Sequence, residues 1–207
     1  MQTRSVCGET TESDIVLDFM KLDRPLILAS TSPRRQFLMK EAGFQFRVEN
    51  PDEDESFPAT MPLEKVPSFI AKKKADAFKS TLQNEIVITA DTVVILNNKI
   101  LNKPGGRGEA IEMLSALSGL THTVITAVCL LSKDKEDLFD DRTEVTFKTL
   151  SQKEIHFYVD QYMPFDKAGA YGAQDWLGMV GIEKINGSYF TVMGLPMHKV
   201  YEHLMKF

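Results

Sequence analysis

The sequence predicts an α/β protein: a mixed sheet with flanking helices and a cleft, in one large domain or one domain with two lobes. Short β-rich runs alternate along the chain with stretches of helical periodicity. One β run turns back on itself at Asn97-Asn98, so hairpins occur beside crossovers. No internal repeat, low-complexity segment or long linker divides the 207 residues, of which 43% are hydrophobic, enough for one large domain with a real core.

From Glu12 to Leu22, apolar Ile15, Val16, Phe19 and Met20 recur at helical spacing after the capping residue Ser13, which predicts a short amphipathic helix. Pro25–Ala29 reads as a buried strand. Ser32 then suits a helix cap and Pro33 the first helical position. Phe37, Leu38 and Ala42 form the apolar stripe of that helix, and Gly43 ends it. Phe44–Val48 alternates as a strand, and the acidic loop Asp52-Glu53-Asp54-Glu55 follows. A second helix is expected from Val66 or Pro67 to Lys79, and a strand over Ile86–Leu96 with Lys99–Leu101 returning beside it. Glu109–Leu117 reads as a helix stopped by Gly119, Thr121–Leu131 as a strand, and Glu144–Thr149 as another. Ser151 and Glu154 make a capping box for a helix reaching Tyr162.

Bulk properties exclude several classes. A net charge of −5 and a pI near 5.4 give no basic face for a nucleic-acid polymer, though a small basic cleft for one polyphosphate remains allowed. Cys7 and Cys129 cannot build a disulfide framework and lack metal-ligand spacing. The first 20 residues carry four acidic side chains and no signal-peptide core, and no apolar run approaches the roughly 20 residues that span a bilayer. A soluble, cytoplasmic protein without membrane attachment is expected.

Six places could carry chemistry. Ser30-Thr31-Ser32-Pro33-Arg34-Arg35 sets hydroxyls and guanidinium groups where a strand meets a helix N-terminus, a natural anion site. Arginine there opposes the helix dipole, which an anionic ligand would offset; a plain capped helix with surface arginines is the alternative. Asp91 interrupts an apolar strand, so its carboxylate needs a metal, a cation or a wet cleft, unless it caps a bulge of its own backbone. Thr92 adds a hydroxyl beside it. Of Lys72, Lys73 and Lys74, Lys74 lies three or four positions from each of Ile70, Ala71, Ala77 and Phe78, so it is the best placed of the three to reach inward, as ligand or as a snorkelling lysine. Glu55 could supply a hard oxygen for a metal, and Lys103, ahead of Pro104-Gly105-Gly106, could hold phosphate or simply precede a turn. In Asp166–Gln174, close glycines permit tight backbone approach, and the Gln174 amide can both donate and accept. No GxxxxGK or GxGxxG loop is present, and His122, His156, His198 and His203 show no metal or triad spacing.

The order of these segments resembles the Maf family of nucleotide pyrophosphatases. Leu28–Arg35, Asp54-Glu55, Lys74-Ala75, Ala90–Val94 and Lys103-Pro104 are similar to successive family motifs. Leu117–Gly119 with His122, Ala168–Gln174 and Gly194-Leu195-Pro196 continue the series, over roughly residues 25–205. The resemblance implies residues 1–22 as an extension and 23–207 as the family domain. It also implies hydrolysis of nucleoside triphosphates to monophosphate and pyrophosphate, and a divalent cation, Mg or Mn. Arg35, Thr92 and Gln174 match the dTTP/UTP branch, whereas the 7-methyl-GTP branch departs at all three. On this resemblance Asp91 is the base and, with Glu55, holds the metal; Arg34, Lys74 and Lys103 bind phosphate, with Lys103 and Glu55 part of the catalytic set. Ser30 adds a hydrogen bond, while Arg35, Thr92 and Gln174 select the pyrimidine. Ala173 and Asp175 depart from the family, which more often has a larger apolar residue and a glycine there. A homodimer and a modified pyrimidine substrate stay open. The alternative is a non-catalytic nucleotide-binding regulator linked to cell division.

Overall fold

The computed structural model describes residues 22–51 and 53–207. The helix expected from Glu12 lies, but for its last residue, outside them, as does Cys7. A seven-stranded mixed sheet organises the chain in the order β2-β1-β3-β5-β6-β7, with β4 paired to β3. β1 (Leu26–Ala29) lies parallel to both β2 (Phe46–Glu49) and β3 (Ile86–Leu96), and the remaining pairings are antiparallel. α1 (Pro33–Glu41) and α2 (Val66–Asp76) connect these three parallel strands.

The β3 run is long because it serves three partners. Its first residues pair with β1 up to Leu28↔Ile88, and its last pair with β4 (Lys99–Leu101) from Val94↔Leu101. Between them Thr89–Val93 pair only with β5 (Thr121–Leu131), so one edge of the strand is free where Asp91 and Thr92 sit. Asn97 and Asn98 take positive φ, 48° and 61°, in the predicted two-residue turn.

Core packing follows the strand alternation. Leu26, Leu28, Ile86, Ile88 and Ala90 face Leu38 and Met39 of α1 and Val200 and Leu204 of α7 (Met197–Leu204). Ile27, Ala29 and Val87 face Ala71 and Ala75 of α2. Cys129 is buried in this second layer, and burial pushes its thiol up to about 12, an inert small apolar residue. A separate cluster joins α3 (Arg107–Leu117), α4 (Gln152–Tyr162) and α5 (Trp176–Gly181) around Leu114, Phe147, Tyr158 and Leu177. These clusters flank the cleft.

Three expectations change. Ser32 stands at the N-cap of α1 but makes no side-chain cap; its N–H instead donates to Ser30 Oγ at 3.3 Å. The strand expected over Glu144–Thr149 is β6 (Glu136–Phe147), which starts eight residues earlier. Its charged first half carries no strand pattern, yet pairing with β5 runs unbroken from Leu131↔Glu136, so ladder hydrogen bonds decide. The helix expected to reach Lys79 ends at Asp76, past which Phe78 and Leu82 still pack inward. By contrast the Ser151–Glu154 capping box forms in both directions. The end of the chain adds β7 (Ile182–Asn186) and α6 (Tyr189–Met193), for which the sequence pattern gave no expectation. No helix among the described residues is long and apolar enough to cross a membrane.

Candidate functional site

A cavity of about 600 Å³ opens along the free edge of β3. Every site residue singled out in the sequence lines it: Ser30, Arg34 and Arg35 from the β1–α1 junction, Glu55 from the acidic loop, Lys74 from α2, Asp91 and Thr92 from β3, Lys103 after β4, and Gln174. Residues separated by up to 144 positions in the chain therefore converge.

The two faces of β3 divide them. On the α2 face, Thr89 Oγ1 donates to the Ala71 carbonyl at 2.6 Å and ties strand to helix. One turn further, Lys74 Nζ donates to Asp91 Oδ1 at 3.0 Å and to Glu55 Oε1 at 2.7 Å. Lys72 and Lys73 diverge to surface partners, Glu136 and Asp54, as helical spacing demands. Lys74 and Asp91 side chains are only 8% and 11% exposed, so this pair is desolvated and neither partner could be removed cheaply. Burial pushes the Asp91 carboxyl above its ordinary range, against the pull of Lys74 and of Arg35. Glu55 goes the other way: burial raises it, but Lys74 and the nearby Lys103 ammonium outweigh that and hold it below the usual range. Lys103, 57% exposed and 3.6 Å from Glu55 Oε2, stands at the rim.

On the opposite face, Arg35 is built into the protein. Its Nε donates to the Gly194 carbonyl at 2.8 Å, one terminal nitrogen to Ala90 O at 2.9 Å and Ser30 Oγ at 3.4 Å, and the other to Thr92 Oγ1 at 3.0 Å. A guanidinium has five N–H groups, so four are committed and one is left for a ligand. Thr92 Oγ1 in turn lies 3.0 Å from Thr126 Oγ1, which donates to the Thr191 carbonyl at 2.8 Å. A Cβ on Gly194, whose φ is +104°, would come within 3.4 Å of Thr92 Oγ1. The glycine lets the chain pass against this network. Arg34 is freer; its Nη1 reaches across the cleft to Asp166 Oδ2 at 2.9 Å, and Lys167 Nζ takes Asp166 Oδ1 at 2.8 Å.

The segment after α4 carries Gln174. His122 Nε2 meets Tyr171 OH at 2.6 Å, and burial lowers the imidazole to about 4, so it is neutral at pH 7. Gln174 is part-buried, and its Oε1 has no hydrogen-bond partner among the described residues. Gln174 lines the cleft, so this acceptor is open to a ligand or to water.

Sequence reasoning assigned no role to Asp166 and Lys167, which share the cleft. The ion pair of Asp166 with Arg34 spans 132 residues, and no local pattern signals it. Among the described residues no group of three or more His, Cys, Asp or Glu side chains could hold a metal ion. Asp91 and Glu55 converge on one ammonium and give two hard oxygen donors. That set fits a divalent cation only if a bound polyphosphate supplies oxygens too, the usual arrangement for Mg²⁺.

Residues 25–207 match the model of a family described as Maf-like protein. A Bacteroides fragilis protein named dTTP/UTP pyrophosphatase is 51% identical over 186 residues, which cover 88% of this chain and 96% of that protein. One of the same name from Bacteroides thetaiotaomicron is 48% identical, covering 87% and 95%. A third from Flavobacterium psychrophilum is 47% identical, covering 87% and 93%. The solved structure of the Staphylococcus aureus Ham1 protein superposes with a TM-score of 0.50 over 88% of this chain and 99% of that one; at 16% identity it shares the fold alone.

Proposed function

We propose that this chain, which belongs to the Maf family, is a nucleoside triphosphate pyrophosphatase that hydrolyses dTTP and UTP to the monophosphate and pyrophosphate. The single observation that carries the mechanism is the buried Lys74 ammonium held between Asp91 and Glu55 on the free edge of β3. A carboxylate raised by burial yet kept within reach of a cation suits a general base, whose proton affinity must approach the working pH.

In this reading water attacks the α-phosphorus and loses its proton to Asp91. The bond from that phosphorus to the bridging oxygen breaks, and pyrophosphate leaves with the electron pair. Lys74 and Lys103 bind the phosphates and stabilise the charge that builds on the leaving group. Arg34 exchanges Asp166 for a phosphate oxygen, and Ser30 adds a hydrogen bond. Asp91 and Glu55 would hold a divalent cation, Mg or Mn, together with the substrate; when bound it would supply charge neutralisation for the phosphate oxygens.

Base selection falls to the other face. The Gln174 amide can meet the donor and acceptor edge of uracil or thymine, and Thr92 with the remaining Arg35 N–H completes the reading group. The relatives' names favour an enzyme over a non-catalytic regulator. We place the activity in the cytoplasm, and a homodimer is testable by mass in solution.

The test is incubation of the purified protein with UTP, dTTP and CTP and Mg²⁺ or Mn²⁺, with and without chelator, followed by product identification. UMP and pyrophosphate are expected, with loss of turnover under chelation. UDP and orthophosphate would overturn the reaction class, and binding without turnover would favour the regulator.

A further inference from the structure

We infer that Tyr158 and Asp175 are positioning residues for Gln174: they clamp the turn that presents its amide to the base. This rests on the reading of Gln174 as the base-selecting group. An amide whose carbonyl oxygen has no partner among the described residues is held mainly by its backbone. That backbone is a tight turn in which the Asp175 N–H donates to the Gly172 carbonyl at 3.1 Å, with Ala173 and Gln174 at its two central positions.

The Tyr158 hydroxyl bridges the two ends of this turn. It accepts from the Gly172 N–H at 3.1 Å and donates to Asp175 Oδ2 at 2.7 Å. Tyr158 itself is fully buried in the α3–α4–α5 cluster, so the clamp is anchored in the core of that lobe. Asp175 occupies the N-cap of α5, where an aspartate ordinarily accepts from the helix's own first amides, yet it makes no such cap. Its carboxylate is given to Tyr158 instead, with Lys167 Nζ at 3.7 Å on the same oxygen.

The space around the turn admits little slack. A Cβ on Gly172 would lie 2.6 Å from Asp175 Oδ2 and 2.9 Å from Gln174 Nε2, and one on Gly178 would lie 2.0 Å from the Ala173 carbonyl oxygen. The turn is pressed between the clamp and α5, and Gln174 projects from its middle. Loss of the clamp would let the amide wander while the Asp91 side of the cleft stays as it is.

The experiment measures kcat and KM for UTP and CTP, with thermal stability, in wild type, Gln174→Ala, Tyr158→Phe, Asp175→Ala and Asp175→Asn. Tyr158→Phe keeps the ring in the core and removes only the bridging hydroxyl. It should lower the UTP-over-CTP ratio of kcat/KM about tenfold, the effect of one charge-assisted hydrogen bond, mainly through KM for UTP. Asp175→Ala should do the same, and Asp175→Asn, which keeps an oxygen acceptor, should restore most of the ratio. The double variant Tyr158→Phe with Gln174→Ala should show no lower ratio than Gln174→Ala alone. If Gln174→Ala collapses the ratio while folded Tyr158→Phe and Asp175→Ala leave it unchanged, the clamp is structural only and the inference fails. The same holds if both rates fall together with stability. If Gln174→Ala itself leaves the ratio unchanged, the base-reading role fails first, and the two failures are told apart. Should Tyr158→Phe not fold, Asp175→Ala carries the test, because it leaves the core tyrosine in place.

Discussion

The two faces of β3 at its free edge differ more than their one-residue spacing suggests. Around Asp91, charges share partners: one buried ammonium serves two carboxylates, and Glu55 is itself shared with Lys103 at the rim. Around Thr92, every partner is fixed, since Arg35 spends four N–H groups on two carbonyls and two hydroxyls, and Thr126 anchors Thr92 from behind. Shared charges can be redistributed when a tetra-anionic ligand arrives; a network pinned at four of the five Arg35 N–H groups cannot. Chemistry is therefore expected from the first face and shape discrimination from the second.

The sharpest break of this contrast is Lys74→Met. It leaves Asp91 desolvated without its cation, so stability should fall by about 3 kcal/mol or more in denaturant unfolding at pH 7. Any remaining activity should have its acid limb at higher pH, because Lys74 is one of the groups that lower the Asp91 pKa. An unmoved acid limb would separate Asp91 from the titrating base.

Next in size is Asp91→Asn, which keeps the shape and removes the basic oxygen. Turnover should drop about 10²-fold or more, a barrier rise of about 2.7 kcal/mol, with the fold retained at some cost in stability. Wild-type turnover from the variant would remove Asp91 from the chemistry.

The smallest effect sharpens the comparison. Thr126→Val deletes a hydroxyl fully buried behind Thr92. Stability should fall by about 1 kcal/mol in thermal or denaturant unfolding. The change in kcat should stay within a few-fold, while discrimination among pyrimidines loosens. A fall in kcat as large as that of Asp91→Asn would mean the two faces are not separable.

The sequence was legible where local chemistry decides. The β3 run, its Asn97-Asn98 turn, the Ser151 capping box and the inward Lys74 all follow from spacing and turn preference, because their causes lie within a few residues. Asp91 was legible as a carboxylate in need of a metal, a cation or a wet cleft, and the Lys74 ammonium lies 3.0 Å from it. The charged half of β6 was not, since only pairing with β5 makes it a strand. Nor was Asp166, whose partner Arg34 is set by how α1 and the segment after α4 come together. The role of Tyr158 was hidden for the same reason: α4 spacing marks it as core, but the hydroxyl's two partners come from a later turn.

One measurement bears most directly on the cleft as a place where water cuts a triphosphate at its α-phosphorus. Turnover of UTP in ¹⁸O-enriched water, with both products read by mass spectrometry, should put one labelled oxygen in UMP and none in pyrophosphate. Label in the pyrophosphate, or labelled orthophosphate as the product, would contradict it.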